Sequence, residues 1–431
     1  MYNILNFGAV SDGKTLSTLA IQNAIDQCNK DGGGKVIVPS GTFITGSIYL
    51  KDNVELHLEK GAVLKASTNL DDYNEEDAYE QNWSSSAEQW NGKHLVMAIE
   101  CKNVALTGQG IIDGSGEFFF EEPKRYPFYP WMGYVFANGF ARAKDKVRLR
   151  PGQMICFIEC DGVTITDITA QNATCWTIFL YGCENVLVKC VNIFNPDNMG
   201  NTDGIDIDCC INVNVSNCKI DTGDDALTLR CSSTRLKKYR PCENVTVSDC
   251  DLASSACGVR VGVGTGEIRN ATISNIKIKR AGFAINYITS YAGRGRAEIE
   301  NVNFKNVQME NVGFPFQIEG DVGFVKNVKI ENLSATSLCG INLKATNECK
   351  VSNVLLKDFD LTVIADKRPL DEQLLRLRGS SLVNVVGVDS AALSMVKVNI
   401  DDTQLSTWEN VLTKENCGEI IFENCIFPQK N

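Results

Sequence analysis

Two acidic motifs stand about twenty residues apart in the middle of the chain. The stretch from Asn201 to Arg230 reads NTDGIDIDCCINVNVSNCKIDTGDDALTLR, and its motifs NTDG and GDD supply three carboxylates, Asp203, Asp224 and Asp225. Carboxylates within a few ångströms of one another cannot all ionise without cost, so one pKa rises while the others stay low. A protonated carboxyl beside ionised ones suits glycosidic cleavage, which needs an acid for the leaving oxygen and a base for water.

The same three residues admit simpler interpretations, as ordinary turn residues or as ligands of a calcium ion. The residue inventory bears on other kinds of chemistry. Only two histidines, His57 and His94, occur in 431 residues. This argues against a Ser-His-Asp triad or a histidine-rich metal site. Acid and base work therefore falls to carboxylates, and we predict neither a metal nor another cofactor.

A short pattern recurs along most of the chain and indicates how these carboxylates are held. It consists of an asparagine, an alternating apolar run, and then Asn, Asp or Gly. Copies begin at Asn53, Asn103, Gly162, Asn185, Asn212, Asn244, Asn270, Asn301 and Asn327, with fainter ones near Val351, Asn384 and Ile420. From Gly162 onward the intervals are 23, 27, 32, 26, 31 and 26 residues.

Short strands that return at such an interval are typical of a solenoid, in which each coil buries its apolar face by stacking on its neighbours. Asparagine suits the corners, because it tolerates the left-handed region and can stack on the copy above. We predict an all-β, single-stranded parallel β-helix of about ten or more coils. A β-propeller is the alternative, but its blades need about 40 residues each.

The N-terminal region is predicted to form a helix ahead of the strands. The segment LSTLAIQNAIDQCNK places Leu16, Leu19, Ile21, Ile25 and Cys28 near a helical period, and DGGGK supplies a glycine stop. An amphipathic helix in this position can cover the exposed end of a long sheet. We therefore expect an N-terminal capping helix.

Side chains of a strand alternate between the inward and the outward face, and this parity predicts that the carboxylates cluster. In a parallel solenoid, residues one coil apart stack at about 4.8 Å. Asp203 stands two residues before the alternation IDI, as Asp225 stands before LTL and Cys257 before VRV. The two aspartates thus take the same position on successive coils, with Asp224 beside them. The outward positions on these strands go to Asp206, Asp208, Thr228, Arg230 and Arg260.

Two segments, 66–95 and 117–150, interrupt the repeats as long insertions in what we expect to be a single domain over residues 1–431. The second insertion is rich in aromatic residues: Phe120, Tyr126, Tyr129, Trp131 and Tyr134. These side chains could form a sugar-stacking wall or a small satellite core beneath a long loop. Both interpretations stay open.

Composition restricts the partners and the location. The chain carries 53 acidic and 42 basic side chains, a net charge of −11, which opposes the phosphate neutralisation that nucleic-acid binding requires. No apolar run approaches a membrane span, and the first residues lack a signal-peptide pattern, so we expect a cytoplasmic protein without a membrane partner. The 18 cysteines are expected to be mostly buried, reduced thiols.

The acidic stretch resembles the polygalacturonase-like family of glycoside hydrolases, which are pectin-hydrolysing right-handed parallel β-helices. NTDG and GDD at this spacing carry the resemblance, together with FGAVSDGKT, LTGQGIIDGSG and RPGQMICFIECDGVTIT, and it extends to at least residue 310. It implies that Asp224 is the general acid, that Asp203 and Asp225 activate water, and that configuration is inverted. Stacking at about 4.8 Å is shorter than inverting carboxylates usually require, so the inversion rests on the resemblance.

The chain departs from the family pattern at two places. Ala256, Cys257 and Gly258 stand where the family has Gly-His-Gly, and Ala284, Ile285 and Asn286 stand where it has Arg-Ile-Lys. The family's Arg and Lys hold a galacturonate carboxylate, and an Ala cannot replace a guanidinium. The departure argues against activity on plain polygalacturonan and favours a neutral residue or an aglycone in the leaving position.

Several residues are predicted to contact an oligosaccharide substrate: Asn201, Arg230, Cys257, Arg260, Asn286, Tyr287 and Trp131. Arg230 and Arg260 could recognise an acidic sugar from a new direction, or could instead pair with Asp206 or Asp208. The basic loop CSSTRLKKYRPC is expected to be a solvated loop.

We expect a glycoside hydrolase that acts from one chain end on small oligosaccharides, since an inserted loop can close one end of a groove. Two alternatives remain. One is a non-catalytic carbohydrate-binding β-helix, and the other is a calcium-dependent lyase with Arg230 or Arg260 as its base. The oligomeric state is left open.

Overall fold

The computed structural model describes residues 1–121, 150–291, 293–364 and 379–430. These residues fall into two compact units. The first contains residues 1–121, 150–224 and 233–240, and the second contains residues 225–232, 241–291, 293–364 and 379–430. Each unit consists of stacked parallel coils, and the single-domain organisation stays a prediction.

The predicted N-terminal helix is present as α1, Thr18–Lys30, and it contacts strands near the start of the first unit. Its buried stripe is Ala20, Ile21, Ala24, Ile25 and Cys28. The expectation that Leu16 and Leu19 belong to this stripe was wrong. Both are exposed, because Leu16 precedes the helix and Leu19 lies on its solvent side.

The first unit contains nineteen described strands and four short 3-10 helices. The strands are β1 Tyr2–Asn3, β2 Asp12–Leu16, β3 Gly34–Val38, β4 Gly41–Thr45, β5 Ile48–Leu50, β6 Val54–Leu58, β7 Ala62–Ala66, β8 Val96–Ile99, β9 Lys102–Gly108, β10 Ile111–Asp113, β11 Ile155–Ile158, β12 Asp161–Thr166, β13 Thr169–Gln171, β14 Ile178–Tyr181, β15 Glu184–Lys189, β16 Asn192–Phe194, β17 Ile205–Asp208, β18 Ile211–Ser216 and β19 Lys219–Thr222. The 3-10 helices are Ile4–Phe7, Leu70–Asp72, Gly116–Phe118 and Ser233–Arg235.

The described part of the second unit contains eleven strands, several of which run continuously around a corner, and one short helix, α2, Asp402–Leu405. The strands are β20 Leu227–Ser232, β21 Cys242–Ser254, β22 Cys257–Ile288, β23 Arg296–Gly320, β24 Gly323–Ser337, β25 Ile341–Ala345, β26 Cys349–Val363, β27 Ser381–Val386, β28 Ser390–Ile400, β29 Asn410–Glu415 and β30 Glu419–Glu423.

Strand register confirms the coil length expected from the repeats. In the first unit Val163 pairs with Val186, and Val186 pairs with Val213. In the second unit Ala271 pairs with Val245 on one side and with Val302 on the other. These ladders are parallel and follow the predicted intervals, whereas propeller blades are built of antiparallel strands. Each unit is therefore a stack of parallel β-helical coils, as predicted.

Asparagines form ladders along the corners of the coils. Asn185, Asn212 and Asn301 have φ values of 56°, 59° and 55°, which is the left-handed region predicted for them. Their amides also stack, because Asn212 Nδ2 donates to Asn185 Oδ1 at 3.1 Å and Asn301 Nδ2 donates to Asn270 Oδ1 at 3.0 Å. The corners thus combine a backbone preference with hydrogen bonds between coils.

A substitution within a second asparagine ladder should measure how much the ladder contributes to the free energy of unfolding. Asn306 has φ 56°, donates from Nδ2 to Asn275 Oδ1 at 3.0 Å and accepts from Asn332 Nδ2 at 2.9 Å. Asn306→Ala loses both bonds and forces Ala into the left-handed region, so we expect a loss of about 2 kcal/mol in free energy of unfolding. Asn306→Gly keeps the backbone geometry and should cost about half as much. Urea denaturation measures both, with the exposed neighbour Lys305→Ala as the control; equal losses for Ala and Gly would contradict this account.

Two other expectations from composition can be compared with the structure. All 18 cysteines lie in the described residues, where none forms a disulfide and fifteen are buried, which agrees with their predicted packing role. Within the described ranges, no helix combines the length and apolarity needed to cross a membrane.

Candidate active site

Two tight turns of the first unit present Asp203 and Asp224. The GDD turn packs directly on the NTDG turn, since Gly223 N donates to Thr202 Oγ1 at 3.2 Å and that hydroxyl donates to Met199 O at 2.6 Å. A Cβ atom on Gly223 would lie 2.1 Å from Met199 O. This close approach requires glycine, so the first residue of GDD has a packing role.

Asp224 is oriented by a backbone group of the NTDG turn. Asn201 N donates to Asp224 Oδ2 at 2.8 Å, and Asn201 has φ 56°, a conformation that asparagine tolerates better than most residues. The Asn201 side chain is engaged as well, because its Oδ1 accepts from Arg150 at 3.0 Å. Asn201, predicted to contact substrate, thus holds the proposed acid.

The three carboxylates lie together, as parity predicted. One carboxylate oxygen from each of Asp203, Asp224 and Asp225 lies within 4.8 Å of the others. Asp203 and Asp225 are each 4% exposed, whereas Asp224 is half-buried. The most accessible carboxyl is therefore the one that the family resemblance assigns as the acid.

In the second unit, Asp225 is held by a buried ion pair with Arg260. The guanidinium makes two contacts with the carboxylate, from Nε to Oδ2 and from a terminal nitrogen to Oδ1 at 3.0 Å. The side chains are 11% and 6% exposed. Burial alone would lower the pKa of Arg260, but the Asp225 carboxylate raises it well above its ordinary value. Arg260 was predicted to contact substrate or to pair with Asp206 or Asp208. The structure pairs it with Asp225, and its contact with substrate stays a prediction.

The structure corrects the interpretation of Cys257 and Tyr287. Cys257 is fully buried, burial raises the pKa of its thiol well above the usual value, and its backbone N donates to Asp225 Oδ1 at 2.9 Å. Tyr287 is fully buried and its hydroxyl donates to Val302 O at 2.8 Å. Neither side chain faces a substrate: Cys257 supports Asp225 through its backbone, and Tyr287 belongs to the core.

The other predicted contacts have different outcomes. Asn286 lies between two core residues on β22 and is 4% exposed, with Nδ2 3.8 Å from Cys257 Sγ. Arg230 is half-buried on β20; its contact with substrate stays a prediction. Trp131 lies outside the described residues. Phe120 packs with Met199 and lies 5.3 Å from the Arg150 guanidinium, which favours the satellite-core interpretation for this one aromatic.

The basic loop is held by protein contacts. Arg235 donates to Asn82 O at 3.1 Å and lies 5.8 Å from the Trp83 ring. Arg240 pairs with Glu159 at 3.0 Å and with Glu184 at 2.9 Å. These cations attach the loop to neighbouring elements, so the loop is more closely held than the solvated loop we expected.

The insertion at 66–95 covers the outward sheet face next to the site in the first unit. Met97, Cys156 and Phe179 form one outward column, and the next residue in that column is Asp206. Trp83 packs edge-on against Phe179 and Tyr181 at 5.8 Å and 5.6 Å. The buried cluster around them comprises Trp90, Met97, Cys156, Ile158, Cys175, Trp176, Phe179 and Tyr181. The aromatic wall formed by Trp83, Phe179 and Tyr181 ends at Asp206, the next position in the outward column.

Clustered carboxylates presented by coils of parallel strands are compatible with the acid–base chemistry of glycosidases. Comparison with known proteins agrees. The chain belongs to Glycosyl hydrolases family 28, whose family model matches residues 28–368, and it is similar to polygalacturonases, with a right-handed parallel β-helix fold.

Several relatives show the range of the match. The chain is 30% identical over 271 residues to an exo-poly-alpha-D-galacturonosidase of Dickeya chrysanthemi, covering 56% of this chain and 44% of that protein. It is 27% identical over 235 residues to a probable polygalacturonase of Vitis vinifera, covering 53% and 44%. The chain thus spans less than half the length of these two relatives. The fold matches an exopolygalacturonase from Thermotoga maritima with a TM-score of 0.64 at 23% identity, covering 98% of this chain and 91% of that one.

Proposed function

We propose that the protein hydrolyses pectin-type or related oligosaccharides from one chain end, with inversion and with a neutral sugar in the leaving position. The observation that carries this proposal is the carboxylate cluster, in which Asp224 is half-buried while Asp203 and Asp225 are nearly buried. Asp224 protonates the glycosidic oxygen. Asp203 and Asp225 deprotonate water, which attacks the anomeric carbon as the bond to the leaving oxygen breaks.

Asp225, one of the two proposed bases, is held by two partners. Asp225 is oriented by Arg260 and by the backbone N–H of Cys257, which suits it to accept a proton from water. Inversion usually places carboxyl groups about 6.5–9.5 Å apart, whereas one carboxylate oxygen of each aspartate here lies within 4.8 Å of the others. Inversion is therefore proposed from family membership.

Action from one chain end is supported by the aromatic wall. Trp83, Phe179 and Tyr181 occupy the outward face of coils immediately before Asp206. A sugar chain lying along that face would meet the wall within one coil of the acidic positions, since coils repeat at about 4.8 Å and a sugar unit is of similar length. The space between the aromatic wall and the acidic positions therefore suits a single terminal sugar. The Dickeya chrysanthemi relative is an exo-poly-alpha-D-galacturonosidase, which is an exo-acting enzyme.

A neutral leaving sugar is supported by the residues of the second unit. Asn286 lies on the side of β22 opposite to its neighbours Ile285 and Tyr287, which are both fully buried, and is itself 4% exposed. It pairs in register with Gln317, which pairs with Asn342. Amide side chains donate and accept hydrogen bonds, which suits sugar hydroxyls, and this column begins where the family has a lysine. An uncharged column offers a carboxylate no ionic partner.

One product analysis tests this function. We expect wild-type enzyme to shorten a reducing-end-labelled oligosaccharide by one terminal sugar at a time. The kcat/KM should be at least about tenfold higher for a neutral sugar than for galacturonate in the leaving position, because an unpaired carboxylate loses about 1.5–3 kcal/mol of charge-assisted bonding. Chromatography of labelled products and proton NMR of the first-formed anomer provide the measurements.

The outcomes separate the parts of the proposal. A ladder of internal cuts would contradict exo action, and retention of anomeric configuration would contradict inversion. Equal rates for the two leaving sugars would contradict the assignment of the amide column. Turnover of none of the pectin-type or neutral substrates, with binding intact, would favour the non-catalytic carbohydrate-binding alternative.

A further inference from the structure

Arg150 is a buried arginine that links the insertion at 66–95 to the NTDG turn. Its Nε donates to Gln89 O at 3.1 Å, and a terminal nitrogen donates to Glu88 O. The same guanidinium donates to Thr174 O, to Gly200 O at 3.5 Å and to Asn201 Oδ1 at 3.0 Å. One side chain thus contacts the insertion, the turn before β14 and the turn that carries Asp203.

These hydrogen bonds are made to neutral carbonyl and amide oxygens, although Arg150 is only 2% exposed. A buried cation requires compensation by negative charge. The charged or titratable groups that interact electrostatically with it are Glu88, Cys175, Asp203 and Asp224, and Asp225 follows Asp224 in the chain. Burial lowers the pKa of Arg150 and the three carboxylates oppose that change. Two of those carboxylates belong to the acidic cluster.

The contact with Asn201 extends to the proposed acid. Asn201 accepts from Arg150 through its side chain and donates from its backbone N to Asp224 Oδ2 at 2.8 Å. Its backbone is in the left-handed region at φ 56°, so the direction of its N–H depends on this turn being held in place. Arg150 is the side chain that holds the Asn201 amide.

We propose that Arg150 is a positioning residue that serves the carboxylate cluster in two ways: its charge stabilises the ionised form of Asp203, one of the proposed bases, and its hydrogen bond to Asn201 aims the backbone N–H that donates to Asp224. The inference rests on the proposed function, in which Asp224 is the acid. Arg150 acts on the reacting atoms only through other residues. The insertion and the cluster are therefore joined by one guanidinium, and a change in either is transmitted to the other.

Charge and hydrogen-bonding geometry can be separated by substitution. Arg150→Met removes both, so Asp203 and Asp224 should bind protons at higher pH, and both limbs of the kcat/KM pH profile should move up by about one unit. Arg150→Lys keeps the charge but loses the planar fork, so the limbs should stay within about 0.3 unit while kcat falls about tenfold. Asn201→Gly keeps the left-handed backbone and its N–H but removes the acceptor for Arg150. Like Arg150→Lys, Asn201→Gly should keep both limbs of the pH profile near those of wild type while its kcat falls about tenfold.

Arg235→Met is the matched control, because Arg235 contacts the same insertion through Asn82 and Trp83 and makes neither of the contacts to the NTDG turn. Its pH profile should match wild type. Circular dichroism will show whether Arg150→Met is folded. If it is folded and both limbs of its kcat/KM pH profile match those of wild type, the charge role is overturned. If it does not fold, Arg150→Lys and Asn201→Gly decide: wild-type kcat in both overturns the aiming role, and limbs displaced by a full unit in Arg150→Lys overturn the charge role. Failure of the proposed function itself would show separately, as activity retained by Asp224→Asn.

Discussion

Asp224→Asn should lower kcat on a natural oligosaccharide by about 10³-fold, near the middle of the range that a general acid contributes. The amide cannot donate a proton to the glycosidic oxygen, but its shape and its contact with Asn201 N are kept, so KM should change little. Initial rates at several substrate concentrations provide the measurement. A substrate with a good leaving group, such as a nitrophenyl glycoside, needs less protonation and should lose far less activity.

Matched controls make this result specific. Asp221→Asn changes the same charge three residues earlier, on a side chain of β19 that is half-buried like Asp224, and should retain activity within about twofold. A chelator should leave the wild-type rate unchanged, and no ultraviolet-absorbing unsaturated product should form. Chelator-sensitive production of such a product would favour the calcium-dependent lyase instead. Equal losses on both kinds of leaving group would contradict the acid role.

Arg260→Met should damage both stability and activity, because it leaves the Asp225 carboxylate buried and without its bidentate partner. Breaking a buried pair from one side costs about 3–5 kcal/mol, and we expect a loss of that order in free energy of unfolding. We expect kcat to fall about 10²-fold, since the water-activating carboxylate is no longer oriented. Arg260→Lys keeps charge but not the two-pronged geometry and should show intermediate losses. Urea denaturation and initial rates measure the two effects.

A double-mutant cycle separates the pair from its surroundings. Asp225→Asn with Arg260→Met removes both charges, so its loss of unfolding free energy should be smaller than the sum of the two single losses by about 1–3 kcal/mol. Activity should not recover, because the base is absent. Additive losses would mean that the two side chains do not depend on each other, contrary to the contacts between them.

Much of this architecture could be predicted from local pattern, because a solenoid repeats one register. The spacing of Val163, Val186 and Val213 in the chain is the pairing found between their strands, and the asparagine corners follow from the left-handed preference of one residue type. The same periodicity predicted the cluster of Asp203, Asp224 and Asp225. Parity could also have placed Tyr287 correctly, since its outward neighbour Asn286 requires it to face the core.

Contacts made by long side chains could not be predicted in this way. Parity places Arg260 on the outward face but does not decide which carboxylate its flexible side chain reaches, and the structure pairs it with Asp225. Arg150 was missed because its partners lie 24 to 62 residues away in irregular segments. The available signal was an arginine just before a Pro-Gly pair at the end of an insertion. The local expectation for Leu19 failed because a helical period alone does not identify the buried side.

The insertion at 66–95 leaves the sheet in which it begins and ends undisturbed. Val63 before it pairs with Ile111, and Val96 after it pairs with both Ile48 and Ile155. A thirty-residue excursion is thus accommodated at a corner without shifting any ladder of its neighbours, since each coil depends only on the coils beside it. Selection can therefore lengthen, shorten or exchange this segment while the strands around the aspartates stay in register. Such a scaffold can diversify its substrate range by recombination at corners, and segment transplantation between homologues is a practical route to new specificities.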